Sequence, residues 1–400
     1  MPQNISNVNT DIGFTQAATL MNSIVEQATG KTSLTATSTA AFISQAQTVL
    51  KIGTEPLLNA LSTVLSKTIF AVRPYNARFK GLQRDAIQWG NHVRKISFGS
   101  DGVENIDKYD LTDGYSVDMQ IVKKPPVLQT NFYSYDSYQN HYTIFDDQLD
   151  SAFSGPDEFM RFVSGVTMEV SNKLEQYREN FARATLLNLI GGTINAGRVR
   201  HLLTEFATEF NIMTTGQNPA PDPTAVLPAH MDEFTKWLFA ELKVLSNRME
   251  ERSLLYHTNI TNKPIYRHTP KEKQRLYIYS PFLAQVDARV LSAVFNPSYL
   301  NLGEREDVSY WQSISTPDTI SITPSQMKAS DGTYEQGSAV TNKKILGVLM
   351  DYDAAGTTQV HEYTAPAPHN ARGRYTTIWY SMEQRGWNDM TENAVVLCLD

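Results

Sequence analysis

The sequence predicts an α+β chain, and three patterns carry that reading. A helical apolar pattern runs unbroken over residues 156–190. Period-two alternation marks strands around Tyr115, Val117, Met119 and Ile121 and again at Ile378, Tyr380 and Met382. The apolar runs 344–353 and 394–399 read as further strands, the last one buried. Of the 400 residues 41% are hydrophobic and 19% charged. That is enough apolar material for a sizeable core, and it excludes a disordered chain. The length fits two or three domains, or one compact domain with large excursions.

Residues 1–50 carry only three charged side chains, Asp11, Glu26 and Lys31, among Ser, Thr, Asn, Gln and Ala. A solvated tail or a nucleic-acid-binding arm carries more charge, so this segment reads as an arm that orders on other subunits. Pro56 then opens a helix with an apolar stripe at Leu57, Leu58, Leu61, Val64, Leu65 and Ile69. The most basic short stretch follows, with Arg73, Arg78, Lys80 and Arg84.

Residues 89–140 read as a two-stranded excursion. The strand at 115–121 is partnered by a weaker one at 89–98, and the turn-rich segment 100–114 lies between them. Its tip holds Asp101, Glu104, Asp107, Asp110 and Asp113 against Lys108, a net charge of −4. An isolated two-stranded ribbon is marginal in water, which implies that another surface covers it.

Pro156, Asp157 and Glu158 start the long helix, with acids at the positive end of its dipole. Acid-to-base pairs at i,i+4 line its polar face: Asp157 with Arg161, Glu169 with Lys173, and Glu179 with Arg183. Gly191 and Gly192 are expected to stop it, at a length of roughly 50 Å given ~1.5 Å per residue. Helices are expected at 201–210 and 230–251, with the Pro-rich loop 216–224 between them. A strand over 275–279 leads to a helix that begins at Ser280 and Pro281 and runs to Phe295.

Catalytic signatures are missing. VEQATGKT at 25–32 matches a phosphate-binding loop except that Val25 stands where the first glycine must turn, and no strand precedes it. The eight histidines, at 92, 141, 201, 230, 257, 268, 361 and 369, include no pair at metal-ligand spacing. Asp351 and Asp353 flank Tyr352 and read as a solvated strand end. The single cysteine, Cys398, lies in an apolar run and forms no disulfide framework, which suits assembly in a reducing compartment. The amino terminus does not read as a signal peptide, and no apolar run approaches the ~20 residues that span a bilayer. The net charge of −7 argues against a general basic surface for gripping nucleic acid. No catalytic, cofactor-binding or metal-ligating residue is therefore assigned.

The order of parts resembles the major capsid protein fold of tailed bacteriophages, shared with encapsulins and the herpesvirus capsid floor. The wording of YRHTPKEKQRLYIYSPFLAQVDARVL (266–291), WQSISTPDTISITP (311–324) and APAPHNARGRYTTIWYSMEQRGWNDMTENAVVLCLD (365–400) is also similar to such proteins. The resemblance implies an N-terminal arm over 1–54 and an extended β-hairpin loop over 89–140. It implies a peripheral domain from 55–88, 141–194 and 356–400, with spine helix 156–190, and an axial domain over 195–355. It further implies a shell subunit that forms hexamers and pentamers of an icosahedral head around double-stranded DNA. Such a head assembles in the host bacterial cytoplasm with portal, scaffolding and decoration proteins as partners and no membrane. An encapsulin-type nanocompartment shell and a cytosolic α+β enzyme are the alternatives. The intersubunit contacts expected are the acids Asp101, Glu104, Asp107, Asp110 and Asp113 against the bases Arg73, Arg78, Lys80, Arg84, Arg161, Lys173 and Arg183 of a neighbour.

Overall fold

The computed structural model describes residues 78–84, 93–98, 127–133, 135–152, 155–210, 212, 223–261, 264–289 and 304–400. It also describes Gln120 and nine positions between 22 and 47. In chain order the elements are β1 (Gln83–Arg84), β2 (Val93–Phe98), β3 (Val127–Phe132), β4 (Asp136–Phe145), α1 (Asp146–Ala152) and α2 (Pro156–Asn195). Then come β5 (Val199–His201), α3 (Leu202–Glu209), α4 (Pro223–Glu250), β6 (Gln274–Tyr279), α5 (Ser280–Arg289), β7 (Glu304–Val308), β8 (Thr319–Ile322), β9 (Ser325–Met327) and β10 (Tyr334–Gln336). The chain closes with β11 (Val340–Asp351), β12 (Ala355–Pro366), β13 (Tyr375–Asn388) and β14 (Ala394–Cys398).

Two sheets organise the chain. The first has the order β1-β12-β13-β4, antiparallel except for the parallel β1–β12 pair. The alternation at Ile378, Tyr380 and Met382 buries these side chains, together with Gln384, while Trp379 between them stays exposed. The second has the order β5-β14-β11-β6-β7, with β8 also paired to β11. β14 therefore sits inside the second sheet, between β5 and β11. The span 356–400, expected to belong together to the peripheral domain, therefore divides between two sheets, since only β12 and β13 join the first. β4 begins at Asp136, inside the span 89–140 assigned to the ribbon.

β11 and β14 are covered on both faces. On one side lies the core of α3, α4 and α5, built on Phe206, Phe234, Trp237, Leu238, Leu242 and Phe282; Val395, Leu397, Leu346, Leu349, Leu276 and Ile278 point into it. On the other lies a core fed by Leu186, Leu189 and Ile190 of α2; Val396, Cys398, Ile345, Val348, Met350 and Tyr277 point into that one. In β11 the two sets change parity, since Leu346 and Leu349 share a face. A bulge between Ile345 and Gly347 makes the change, by placing an extra residue opposite β14. Beside the bulge, the backbone groups of Ile345 meet the segment that precedes β8. Ile345 N–H donates to Asp318 O at 2.8 Å, and Trp311 Nε1 donates to Ile345 O at 2.8 Å. Gly347 itself lets β6 approach, because a Cβ there would lie 2.8 Å from Tyr277 O.

α2 has 40 residues, roughly 60 Å at ~1.5 Å per residue. It runs five residues past the expected stop, so Gly191 and Gly192 are interior. Their role is close approach rather than termination: a Cβ on Gly191 would meet Ile322 and Pro324 at 2.8 and 2.9 Å, and one on Gly192 would meet Met390 and Ser325 O. α4 starts at Pro223, seven residues before the expected 230, and carries non-helical backbone at His230, two residues after Pro228. α5 begins at Ser280 as expected; residues 290–303, and with them its expected end at Phe295, lie outside the described residues. The helix expected near Leu57–Ile69 and most of the arm also lie outside them.

Two glycines of α2 should therefore respond in opposite senses. Gly165→Ala meets nothing within 4 Å and should raise stability by about 0.5–1 kcal/mol through helix propensity. Gly192→Ala should lower it by about 1–3 kcal/mol, because the Ser325 carbonyl is backbone and cannot step aside. Urea unfolding of the two variants checks the pair.

Candidate assembly surface

Part of the expected ribbon is among the described residues. β2 pairs antiparallel with β3, in the register Val93↔Phe132 to Phe98↔Val127. The partner expected for 93–98 was the alternating segment 115–121, which lies outside the described residues apart from Gln120.

The pleat of β2 is inverted relative to an ordinary surface strand. Ser97 is buried and Lys95 half-buried, whereas Ile96 and Phe98 are 52% and 66% exposed and Val127, opposite Phe98, is 50% exposed. Lys95 explains the orientation. Its ammonium contacts Asp389 Oδ2 at 2.5 Å and also Glu392. Arg267 adds a contact to Glu392 at 3.3 Å, donates to Ser97 Oγ at 2.8 Å and donates to Thr391 O at 3.0 Å. Burial alone would lower the Lys95 pKa, but Asp389 and Glu392 outweigh it and hold the ammonium raised. Burial pushes the Glu392 carboxyl up despite Lys95 and Arg267. Leu128 and the Phe132–Tyr334 edge contact at 6.2 Å complete the docked face. The apolar face left outward is what a partner surface would cover.

A second aromatic face lies on the first sheet, opposite α2. Trp379 packs on His141 with ring centroids 4.7 Å apart, and Phe145 and Tyr363 are 47% and 65% exposed. Gln139 and Ser381 hydrogen bond at 3.2 Å, and Thr143 and Thr377 at 3.1 Å, tying β4 to β13 across this face.

The expected contact residues divide. Arg183 is buried inside the chain. It pairs with Glu179 at 2.7 Å, donates to the carbonyls of Tyr310 and Trp311, and lies 3.8 Å from the Tyr310 ring centroid. It is therefore withdrawn from the set of neighbour-facing bases. Arg84 is likewise engaged internally: it donates to Gly81 O at 2.6 Å and to Tyr352 O, with its guanidinium 3.3 Å from the Tyr352 ring centroid. Arg78 and Lys80 are exposed, and Arg78 donates to Asp307 O at 3.2 Å. Lys173 is exposed and paired with Glu169 at 2.8 Å. Arg73, Asp101, Glu104, Asp107, Asp110 and Asp113 lie outside the described residues, as does the Arg161 side chain and with it the Asp157–Arg161 pair. The docking cluster Lys95–Asp389–Glu392–Arg267 escaped the sequence reading. Its one signal was a lysine on the same face as the inward Val93.

Catalytic chemistry finds little footing in the described residues. Val25 is helical and buried, where a phosphate loop needs its turning glycine. Asp351 is buried rather than at a solvated strand end. It accepts from Thr269 Oγ1 at 2.7 Å and from Asp353 N at 2.8 Å, while Asp353 lies 3.6 Å from Lys273. Burial pushes the Cys398 thiol up to about 12, so it is inert as a nucleophile. Among the described residues no three His, Cys, Asp or Glu side chains group as metal ligands, and no helix is long and apolar enough to cross a membrane.

A family model described as Phi29-like phage major capsid protein matches residues 21–398. Among solved structures the chain is similar to the capsid structure of Staphylococcus phage Andhra, with 10% identity, a TM-score of 0.51, and 82% of this chain and 86% of that one covered. It is also similar to the capsid structure of the cyanophage P-SCSP1u, with 14% identity, a TM-score of 0.45, and 81% and 88% covered. The first of these likenesses shows a shared fold. No curated protein matches the chain.

Lys95→Met should leave Asp389 and Glu392 buried with one cation fewer and cost about 3 kcal/mol. Adding Glu392→Gln should return part of that loss. Equilibrium urea unfolding of the single and double variants measures both.

Proposed function

We propose, for this chain that belongs to the Phi29-like phage major capsid protein family, an assembly role in which each copy covers the outward apolar face of its neighbour's ribbon. The chain is a structural subunit of a virion capsid and associates with copies of itself. The observation that carries the finer reading is the inverted ribbon, with Ile96, Phe98 and Val127 outward and Lys95 and Ser97 docked. Covering such a face removes apolar area from water at about 25 cal/mol per Å².

The parts are assigned accordingly. Residues 1–54 form the arm and 89–135 the extended loop. The peripheral domain takes 55–88, 136–194 and the strand pair 356–388, and the axial domain takes 195–355 with β14. Copies assemble as hexamers and pentamers of an icosahedral head in the host bacterial cytoplasm. Portal, scaffolding and decoration proteins are its partners. The head encloses double-stranded DNA without sequence-specific binding, which the net charge of −7 supports. The subunit has no catalytic activity of its own.

The acidic tip at 101–113 seeks a basic surface on the neighbour, of which Arg78, Lys80 and Lys173 are exposed members. Each exposed pair contributes about 0–1 kcal/mol and is screened by salt, but a shell repeats it at every subunit. Replacing Asp101, Glu104, Asp107, Asp110 and Asp113 with the neutral amides should leave the circular dichroism of the monomer unchanged. It should lower particle yield in electron micrographs, most at low ionic strength. Equal yield at every salt concentration would leave the tip a solvated turn.

A further inference from the structure

Arg198 lies just past the end of α2, where Gly197 takes φ +74° and turns the chain into β5. Its guanidinium donates to Thr258 Oγ1 at 2.6 Å and approaches Met390 Sδ at 3.9 Å. Nε is buried without an acceptor, and no carboxylate of the described residues contacts the group. Arg178, Arg183, Arg200, Arg267 and Arg275 each meet a carboxylate. Burial drives the Arg198 pKa down to about 10, with only Tyr334 opposing, so it remains charged at neutral pH. A buried charge is costly unless something pairs with it.

Arg198 lines a cavity of about 670 Å³ between the end of α2, the 255–259 loop and the β9–β10 hairpin. The other charges on its wall are compensated. Lys328 and Glu335 pair with each other at 2.9 Å, and both ring nitrogens of His257 face acceptors, Asn393 Oδ1 at 3.1 Å and Ile265 O at 2.6 Å. The last carbonyls of α2 are also taken: Gly192, Thr193 and Ile194 accept from Ala196, Arg198 and Gly197. Arg198 is thus the uncompensated charge facing this space among the described residues.

We propose that this cavity binds an oxyanion, a phosphate or a carboxylate, which Arg198 holds through charge-assisted hydrogen bonds. The site is independent of the assembly reading, since it rests on one chain's own residues.

The test is thermal unfolding of the full chain in phosphate, acetate and chloride at matched pH and ionic strength, beside calorimetric titration with phosphate. Phosphate should raise Tm over chloride by about 2 °C or more at saturation. Arg198→Lys should keep part of the rise, and Arg198→Met should fold and lose it. An equal rise in acetate assigns the site to carboxylates, and a rise in phosphate alone assigns it to phosphate. If neither anion shifts Tm and titration of the unaltered chain gives no heat, water satisfies Arg198 and the proposal is overturned. A rise that survives in Arg198→Met overturns it equally.

Discussion

Strands β14 and the 345–351 half of β11 keep every side chain out of solvent, and the other elements are placed to cover them. Helices α3, α4 and α5 take one face and α2 takes the other. A strand pair buried on both faces cannot alternate polar with apolar, which is why AVVLC is apolar throughout. The bulge at Ile345 is part of the same constraint. It exchanges which residues face which core, and beside it the Ile345 backbone pairs with Asp318 O and Trp311 Nε1. Two hydrogen bonds thereby tie the loop from 309 to 318 to Ile345.

α2 couples this core to the first sheet. Leu186, Leu189 and Ile190, toward its C-terminal end, feed the second-sheet core, and Gly191 and Gly192 admit the β8–β9 connection. Further toward its N-terminus Arg178 bridges Glu175 on its own helix to Glu362 on β12, at 2.8 and 3.3 Å. Tyr177 stacks on Tyr138 of β4 with centroids 4.1 Å apart. One helix thereby contacts both sheets.

The ribbon obeys a different balance. Its inward face is chosen by charge: Lys95 finds two carboxylates, one of them fully buried, and this outweighs the exposure of Ile96, Phe98 and Val127. In the proposed assembly a neighbouring copy covers that exposed apolar area. On that proposal the cost of the ribbon in the free chain is part of the driving force for assembly.

The sequence by itself determined the elements whose partners are local. The long helix, the helix start at Ser280 and Pro281, the strand 275–279 and the alternation at 378–382 were legible because periodicity and capping act within one segment. The α+β class and the resemblance to a phage shell subunit followed from their order. Tertiary structure alone decided where each segment pairs. β3 meets β2, β14 leaves its chain neighbours for the second sheet, and Gly191 and Gly192 sit inside a helix they were expected to end. It also decided that Arg183, on the nominally polar face of α2, is buried against Tyr310 and Glu179. These outcomes depend on contacts between residues far apart in the chain, more than a hundred positions for Lys95 with Asp389 and Arg183 with Tyr310. Side-chain type along the chain records whether a residue seeks burial or charge, but not which distant residue supplies it.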